Sequence, residues 1–127
     1  MIDFQNGAVF KLSPCNPQEV QAQLAPLLVD GEGVYLSFKG VRDFVAFTNK
    51  RLIAVNVQGL TGKKRDYSSL PYNKIQAWSV ETAGTFDLEA DMVFWLAGAA
   101  QPLEIKIGRG SNLTMIQQVL AHGILRR

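Results

Sequence analysis

A chain of 127 residues, 47 % apolar and 19 % charged, has the balance of a globular protein with a single core rather than of a disordered one. Its formal net charge of +2 excludes nucleic-acid binding by bulk electrostatics, so any electrostatic recognition must come from local clustering. The lone Cys15 excludes an internal disulfide and a cysteine-only zinc site, and a single thiol is compatible with a reducing cytosol.

The N-terminus, Met1-Ile2-Asp3-Phe4-Gln5-Asn6, lacks the basic and apolar regions of a secretion signal. No apolar run approaches the roughly 20 residues that span a bilayer. The expected location is therefore the cytoplasm, with a membrane-peripheral position if the basic residues described below meet lipid. No linker, repeat or low-complexity tract divides the chain, so residues 1–127 are expected to form one domain.

Within it, residues 1–30 are expected to be the N-terminal helical segment. Asn16 suits an N-cap, Pro17 the first helical position, and Glu19 can reach back toward the cap. Val20, Leu24, Leu27 and Leu28 fall on one stripe, Pro26 predicts a kink, and Asp30-Gly31 predicts the end. Strands occupy residues 33–107. Val34, Leu36 and Phe38 alternate with Tyr35, Ser37 and Lys39, the pattern of a half-buried strand. Further strands are expected near residues 42–48 and 51–58, with the polar tip Thr48-Asn49-Lys50-Arg51 making a tight hairpin between them. Gly59-Leu60-Thr61-Gly62 supplies a turn before a strand near 63–69, which Pro71 ends. Ile75 to Thr82, Met92-Val93-Phe94-Trp95-Leu96 and Leu103-Glu104-Ile105-Lys106-Ile107 complete about seven antiparallel strands. A C-terminal helix over 111–125, capped by Ser111 or Asn112, carries the stripe Leu113, Ile116, Val119, Leu120 and Ile124. The expected fold is mainly β: two packed antiparallel sheets form an open barrel, a C-terminal α-helix caps it, and an N-terminal helix lies beside it.

The ordered series Gly31-Glu32, Arg42-Asp43, Phe47-Thr48-Asn49-Lys50-Arg51-Leu52, Gly59-Leu60-Thr61-Gly62-Lys63-Lys64 and Pro71-Tyr72-Asn73-Lys74-Ile75 resembles the bacterial pleckstrin-homology (PH) domains. Glu81-Thr82-Ala83-Gly84 and Phe86-Asp87-Leu88-Glu89 continue the series, and the resemblance covers roughly residues 4 to 124. It implies a seven-stranded, strongly bent sheet capped by a C-terminal helix. It further implies a non-enzymatic module that often self-assembles into rings and has no established ligand. Eukaryotic relatives of the fold include phosphoinositide binders, whose first loop is longer; here only Gly40-Val41 separate Lys39 from Arg42.

Two charge clusters stand out. In a meander, the turn holding Lys39 and Arg42 and the turn holding Lys63, Lys64 and Arg65 lie at the same end of the sheet. Five convergent cations there are the candidate site for an anion or an anionic lipid surface. Against them stand Glu81, Asp87, Glu89 and Asp91, with no cation interspersed. Opposite patches on one small domain favour head-to-tail contact between copies. Trp78 and Trp95 lie on alternating strands, and an outward tryptophan marks an interface. These two, with the four acidic residues, form the candidate oligomer interface. The expected partner is a second copy of the chain, with another protein or a weakly bound anionic membrane as further possibilities and nucleic acid excluded.

Catalytic and cofactor patterns fail on inspection. Asp87-x-Glu89-x-Asp91 mimics the start of a calcium loop, but Met92 replaces its glycine and Gly98 its bidentate glutamate. Gly108-Arg109-Gly110 has Leu113 in place of the third glycine of a dinucleotide fingerprint. Gly62-Lys63-Lys64 has Val57 for the first glycine of a P-loop and a lysine for its Ser or Thr. The one histidine, His122, falls near the end of the C-terminal helix, where an imidazole complements the helix dipole. Neither an enzyme, nor a metal, nor a cofactor is expected.

Overall fold

The computed structural model describes residues 11–82, 90–108 and 112–125. Strand β1 (Lys11–Pro14) precedes helix α1 (Pro17–Leu24), and the helix continues into a 3-10 turn over Ala25–Leu27. Strands β2 (Val34–Lys39), β3 (Phe44–Thr48), β4 (Arg51–Gln58) and β5 (Lys64–Pro71) follow. After a second 3-10 turn, Tyr72–Lys74, come β6 (Ile75–Thr82), β7 (Ala90–Leu96) and β8 (Leu103–Ile107). Helix α2 spans Leu113–Ile124.

The eight strands form one bent sheet in the order β5-β4-β3-β2-β1-β8-β7-β6. Seven of them match the strands expected from alternation; the eighth, β1, does not. The segment expected to be helical over 1–30 thus carries a strand at Lys11–Pro14. This strand joins the two antiparallel halves, pairing antiparallel with β2 (Ser13 to Lys39) and parallel with β8 (Leu12 to Ile107). Residues 1–10 lie outside the described residues.

Helix α1 starts as its sequence predicts. Asn16 Oδ1 accepts the Gln18 N–H at 2.9 Å and Pro17 fills the first turn. It ends earlier than expected. Pro26 has no N–H to donate back along the helix, so the α-helix stops at Leu24 and tightens into the 3-10 turn instead of kinking onward. Leu27 consequently leaves the apolar stripe and is exposed, whereas Val20 and Leu24 are buried.

Two cores sit on opposite faces of the sheet. The larger is formed inside the barrel by Phe38, Phe47, Leu52, Met92, Phe94 and Ile105, closed by Ile116 and Leu120 of α2. The Phe38 and Phe47 rings meet edge to face at 6.1 Å. The smaller core lies outside, where Val20 and Leu24 of α1 cover Val34, Phe44, Ala46, Ile53 and Val55. Strand β3 is therefore buried on both faces. Val34 was expected beside Leu36 and Phe38. An irregularity in the β2–β3 register between Val34 and Leu36 turns it to the α1 side instead.

Candidate functional site

The hairpin tip between β3 and β4 is the most densely bonded polar node among the described residues. Glu32, with a side chain wholly out of water, holds the Arg51 guanidinium through Nε to Oε2 at 2.9 Å and Nη2 to Oε1 at 3.0 Å. Thr48 Oγ1 donates to Glu32 Oε2 at 2.7 Å and accepts the N–H groups of Lys50 and Arg51. The Val29 N–H donates to Glu32 Oε1. Arg51 also donates to the Leu27 carbonyl and to Ser69 Oγ. Asn49 ties the tip to the preceding loop, accepting from the Gly33 N–H and donating to the Gly31 carbonyl, both at 2.9 Å. Burial pushes the Glu32 carboxyl up, but the Arg51, Thr48 and Val29 donors outweigh it and hold the group below its ordinary value. Each side chain of this node is hydrogen-bonded within the protein, although Arg51 stays partly in water. Arg51 is thus a structural residue, and the tip offers a ligand only the exposed Lys50.

The opposite end of the sheet carries the five expected cations. The two-residue loop Val41-Arg42 between β2 and β3 is closed by the Gly40 N–H on the Asp43 carbonyl at 2.8 Å. Asp43 Oδ1 in turn accepts the Val57 N–H at 2.9 Å. Arg42 Nη2 donates to the Gly59 carbonyl, which ties this loop to the β4–β5 turn. Lys39, Arg42 and Arg65 line a shallow groove of about 330 Å³ with Gln23, Asp43 and Val57. Lys63 and Lys64 are exposed at the same end but do not line it.

The acidic cluster is smaller than its sequence spacing suggests. Glu81 on β6 lies directly opposite Asp91 on β7, and Asp91 lies opposite Lys106 on β8. A cation therefore flanks the pair across the sheet, although none intervenes in sequence. Asp87 and Glu89 lie outside the described residues. The tryptophans face opposite ways, Trp78 sharing the core side with Ile75 because the β6–β7 register is irregular between Ile75 and Ala77. Trp78 is half-buried against the main core. Trp95 points outward from β7 and is 43 % exposed, with Ala77 of β6 beside it.

Among the described residues there is no grouping of His, Cys, Asp and Glu that would hold a metal. His122 lies on the exposed side of α2. Cys15 Sγ contacts Ser37 Oγ at 3.2 Å, a packing role at the start of α1. No described helix is long and apolar enough to cross a membrane.

A bent sheet of two antiparallel halves with α2 closing one end is the geometry of a PH-like half-barrel, and the family model for the bacterial PH domain matches residues 3–124. The chain belongs to the bacterial PH domain family. This bacterial PH domain is 44 % identical over 119 residues to the uncharacterized protein YjqA of Bacillus subtilis (strain 168), covering 93 % of this chain and 95 % of that one. In structure it is similar to a DUF1696 family protein with a pleckstrin-homology domain from Shewanella loihica PV-4. There the TM-score is 0.80 at 38 % identity, over 91 % of this chain and 98 % of the other. A pleckstrin-homology domain from Shewanella amazonensis SB2B aligns with a TM-score of 0.67 at 39 % identity, over 96 % and 98 % of the two chains. The resemblance carried by the sequence motifs and the fold expected from alternation therefore agree with the family.

The Glu32–Arg51 node is what the motifs left unread. Gly31-Glu32 and Lys50-Arg51 were both within the matching motifs, but nothing local says that their charges meet. No local signal marks it: Glu32 sits between Gly31 and Gly33 just ahead of β2, and only its burial in the fold demands a partner.

Proposed function

We propose that this bacterial PH domain is a non-enzymatic interaction module whose first partner is a second copy of itself. The observation that carries the reading is the contrast between the two free edges of the sheet. Edge strand β5 is guarded by Lys64 and Arg65 at one end and Pro71 at the other. Edge strand β6, eight residues long, has neither lysine nor proline and presents an unpaired ladder among the described residues. Natural sheets blunt such edges unless another chain uses them. Trp95 stands one strand away on the outer face of β7, away from the β2–β4 part that α1 covers, and aromatic residues are enriched at the centres of interfaces.

Edge pairing supplies directional backbone hydrogen bonds, and Trp95 supplies apolar area that neither element buries in one copy. Charge pairing between Glu81 or Asp91 and the basic turns carries less of this reading, because Lys106 flanks Asp91. The basic turns are left free. Successive copies joined head to tail along such contacts close into a ring if the rotation between them is a simple fraction of a turn.

Light scattering at several protein and salt concentrations tests the reading. The expected result is a mass well above one chain that persists in high salt and falls to one chain in a Trp95→Lys, Ala77→Lys double variant. A monomeric wild-type chain at every concentration sinks it.

A further inference from the structure

We infer that the slot between β2 and the first turns of α2 is a binding site for a small neutral aromatic molecule. The slot has a volume of about 260 Å³. Its origin lies in how α2 sits on the barrel. The helix packs most closely on β6 and the Tyr72–Lys74 turn, with Gly123 against the Tyr72 ring. Its other end, from Asn112 to Ile116, faces β2 across a gap. The floor of that gap is the main core. Phe38 and Ile116 reach it from there, and Leu36, packed against the same core, is left only half-buried. Tyr35 and Met115, 44 % and 41 % exposed, form the lips.

The wall suits neither an ion nor water. No charged residue among the described ones lines it, so an ion would lose its hydration without a counter-charge. The polar side chains deep in the slot are engaged with each other. Cys15 Sγ donates to Ser37 Oγ at 3.2 Å, and Ser37 Oγ donates to the Cys15 carbonyl at 3.1 Å. At the helix end, Asn112 Oδ1 accepts the Met115 N–H at 3.0 Å. A buried water needs several polar partners to be held. An apolar guest needs none.

Size and lining narrow the guest further. A cavity of roughly 150 Å³ lined by aliphatic and phenyl groups takes up benzene. Pockets for drug-sized ligands begin at roughly 300 Å³. A fused two-ring molecule falls between them. Phe38 and Tyr35 present rings to it, Met115 and Cys15 present sulfur, and both favour an aromatic guest over an alkyl chain. Met115 is unbranched and can swing to admit it. A peptide is poorly served, because the β2 backbone on either side of Tyr35-Leu36 is taken. The Ser37 carbonyl accepts the Cys15 N–H, and the Val34 N–H donates to Gln21 Oε1. An extended chain would find no free ladder there. The slot lies apart from β6 and Trp95, so it is independent of self-association.

Titration of the full chain with indole, followed by methyl NMR, tests the site. The Leu36, Met115 and Ile116 signals should shift together and saturate, with half-saturation on the order of 1 mM or below. Indoleacetate adds a charge to the same rings, and octanol is a chain of similar size. Each should bind roughly tenfold more weakly. Met115→Trp, at an exposed helix position, supplies a ring of its own and should abolish the Leu36 shift. Gln117→Trp, also exposed, should leave it unchanged. Alkylation of Cys15 gives a second reading. With indole at about ten times its half-saturating concentration, the reaction should slow roughly tenfold.

Shifts that grow without saturating overturn the proposal, as do unchanged alkylation and equal binding of indoleacetate. Octanol binding as tightly as indole overturns the aromatic assignment. Undiminished indole binding by Met115→Trp places the guest elsewhere and sinks the site. Light scattering should give the same mass with and without indole. A changed mass would put the slot at a contact between copies and overturn its role as a small-molecule site.

Discussion

Gly123 of α2 lies against the ring of Tyr72 so closely that a β-carbon at position 123 would sit 2.5 Å from Cε2 and 2.6 Å from Cδ2. The ring cannot swing aside. It is buried, and its hydroxyl donates to the Thr48 carbonyl at 2.6 Å. Burial pushes the phenol's pKa well above its ordinary value, with the Glu32 charge adding to the effect, so the hydroxyl keeps its proton and its bond.

Gly123→Ala should therefore destabilise the protein, although alanine in a helix is ordinarily favoured over glycine by about 1 kcal/mol. Overpacking of about 1–3 kcal/mol exceeds that gain. Denaturant unfolding should show a lower midpoint for Gly123→Ala than for the wild type. A stabilised variant would mean that the helix end shifts freely.

Glu32 should make stability depend on acid. Its folded-state pKa is lowered, so its contribution is fully present above the ordinary carboxylate value of 4.5 and is lost as pH falls through the lower folded value. Glu32→Gln should abolish that part of the acid dependence. It should also cost about 2–3 kcal/mol at neutral pH, less than breaking a fully buried pair, because Arg51 is partly in water. Urea midpoints of both proteins between pH 7 and pH 3 check this, and parallel curves would contradict it.

Asn49→Ala removes two side-chain hydrogen bonds that hold the Gly31–Gly33 loop against the hairpin tip. The expected loss is about 1–2 kcal/mol. Hydrogen exchange should locate it, with the Gly33 amide exchanging faster and the amides of β7 unchanged.

Most of this architecture was legible because the strands are half-buried. Where one face meets the core and the other meets water, apolar and polar residues alternate, as in β8. Strand β1 was not legible for the same reason. Four residues, Lys11-Leu12-Ser13-Pro14, show too little alternation to announce a strand, and its partners Lys39 and Ile107 lie far along the chain. The end of α1 was misread because Pro26 was expected to kink the helix, while its missing N–H stops it. For the basic end, turn positions told which residues converge, since meander parity is fixed by strand count. Which of them share a groove depended on how side chains from α1, β2, β4 and β5 come together there, which no spacing encodes.

Leu12 is the largest apolar side chain of β1 and is fully buried in the main core. Leu12→Ala should lower stability by about 2–5 kcal/mol. Faster exchange at the Gly108 amide, which donates to the Leu12 carbonyl at 2.7 Å, would show that the damage runs along the β1–β8 seam. Unchanged exchange there would instead confine it to the core.

That seam has a consequence in time. Leu12 and Ile107 share a ladder although more than ninety residues separate them. During synthesis at roughly 5–20 residues per second, the β1 edge waits several seconds or more for the strand that will cover it. Throughout that interval the β2–β5 meander can assemble on one side of β1, while the other side exposes backbone groups and the apolar face that later becomes the main core. The sheet is therefore completed only when β8 arrives, and until then a nascent chain presents to its neighbours an edge that the finished protein never shows.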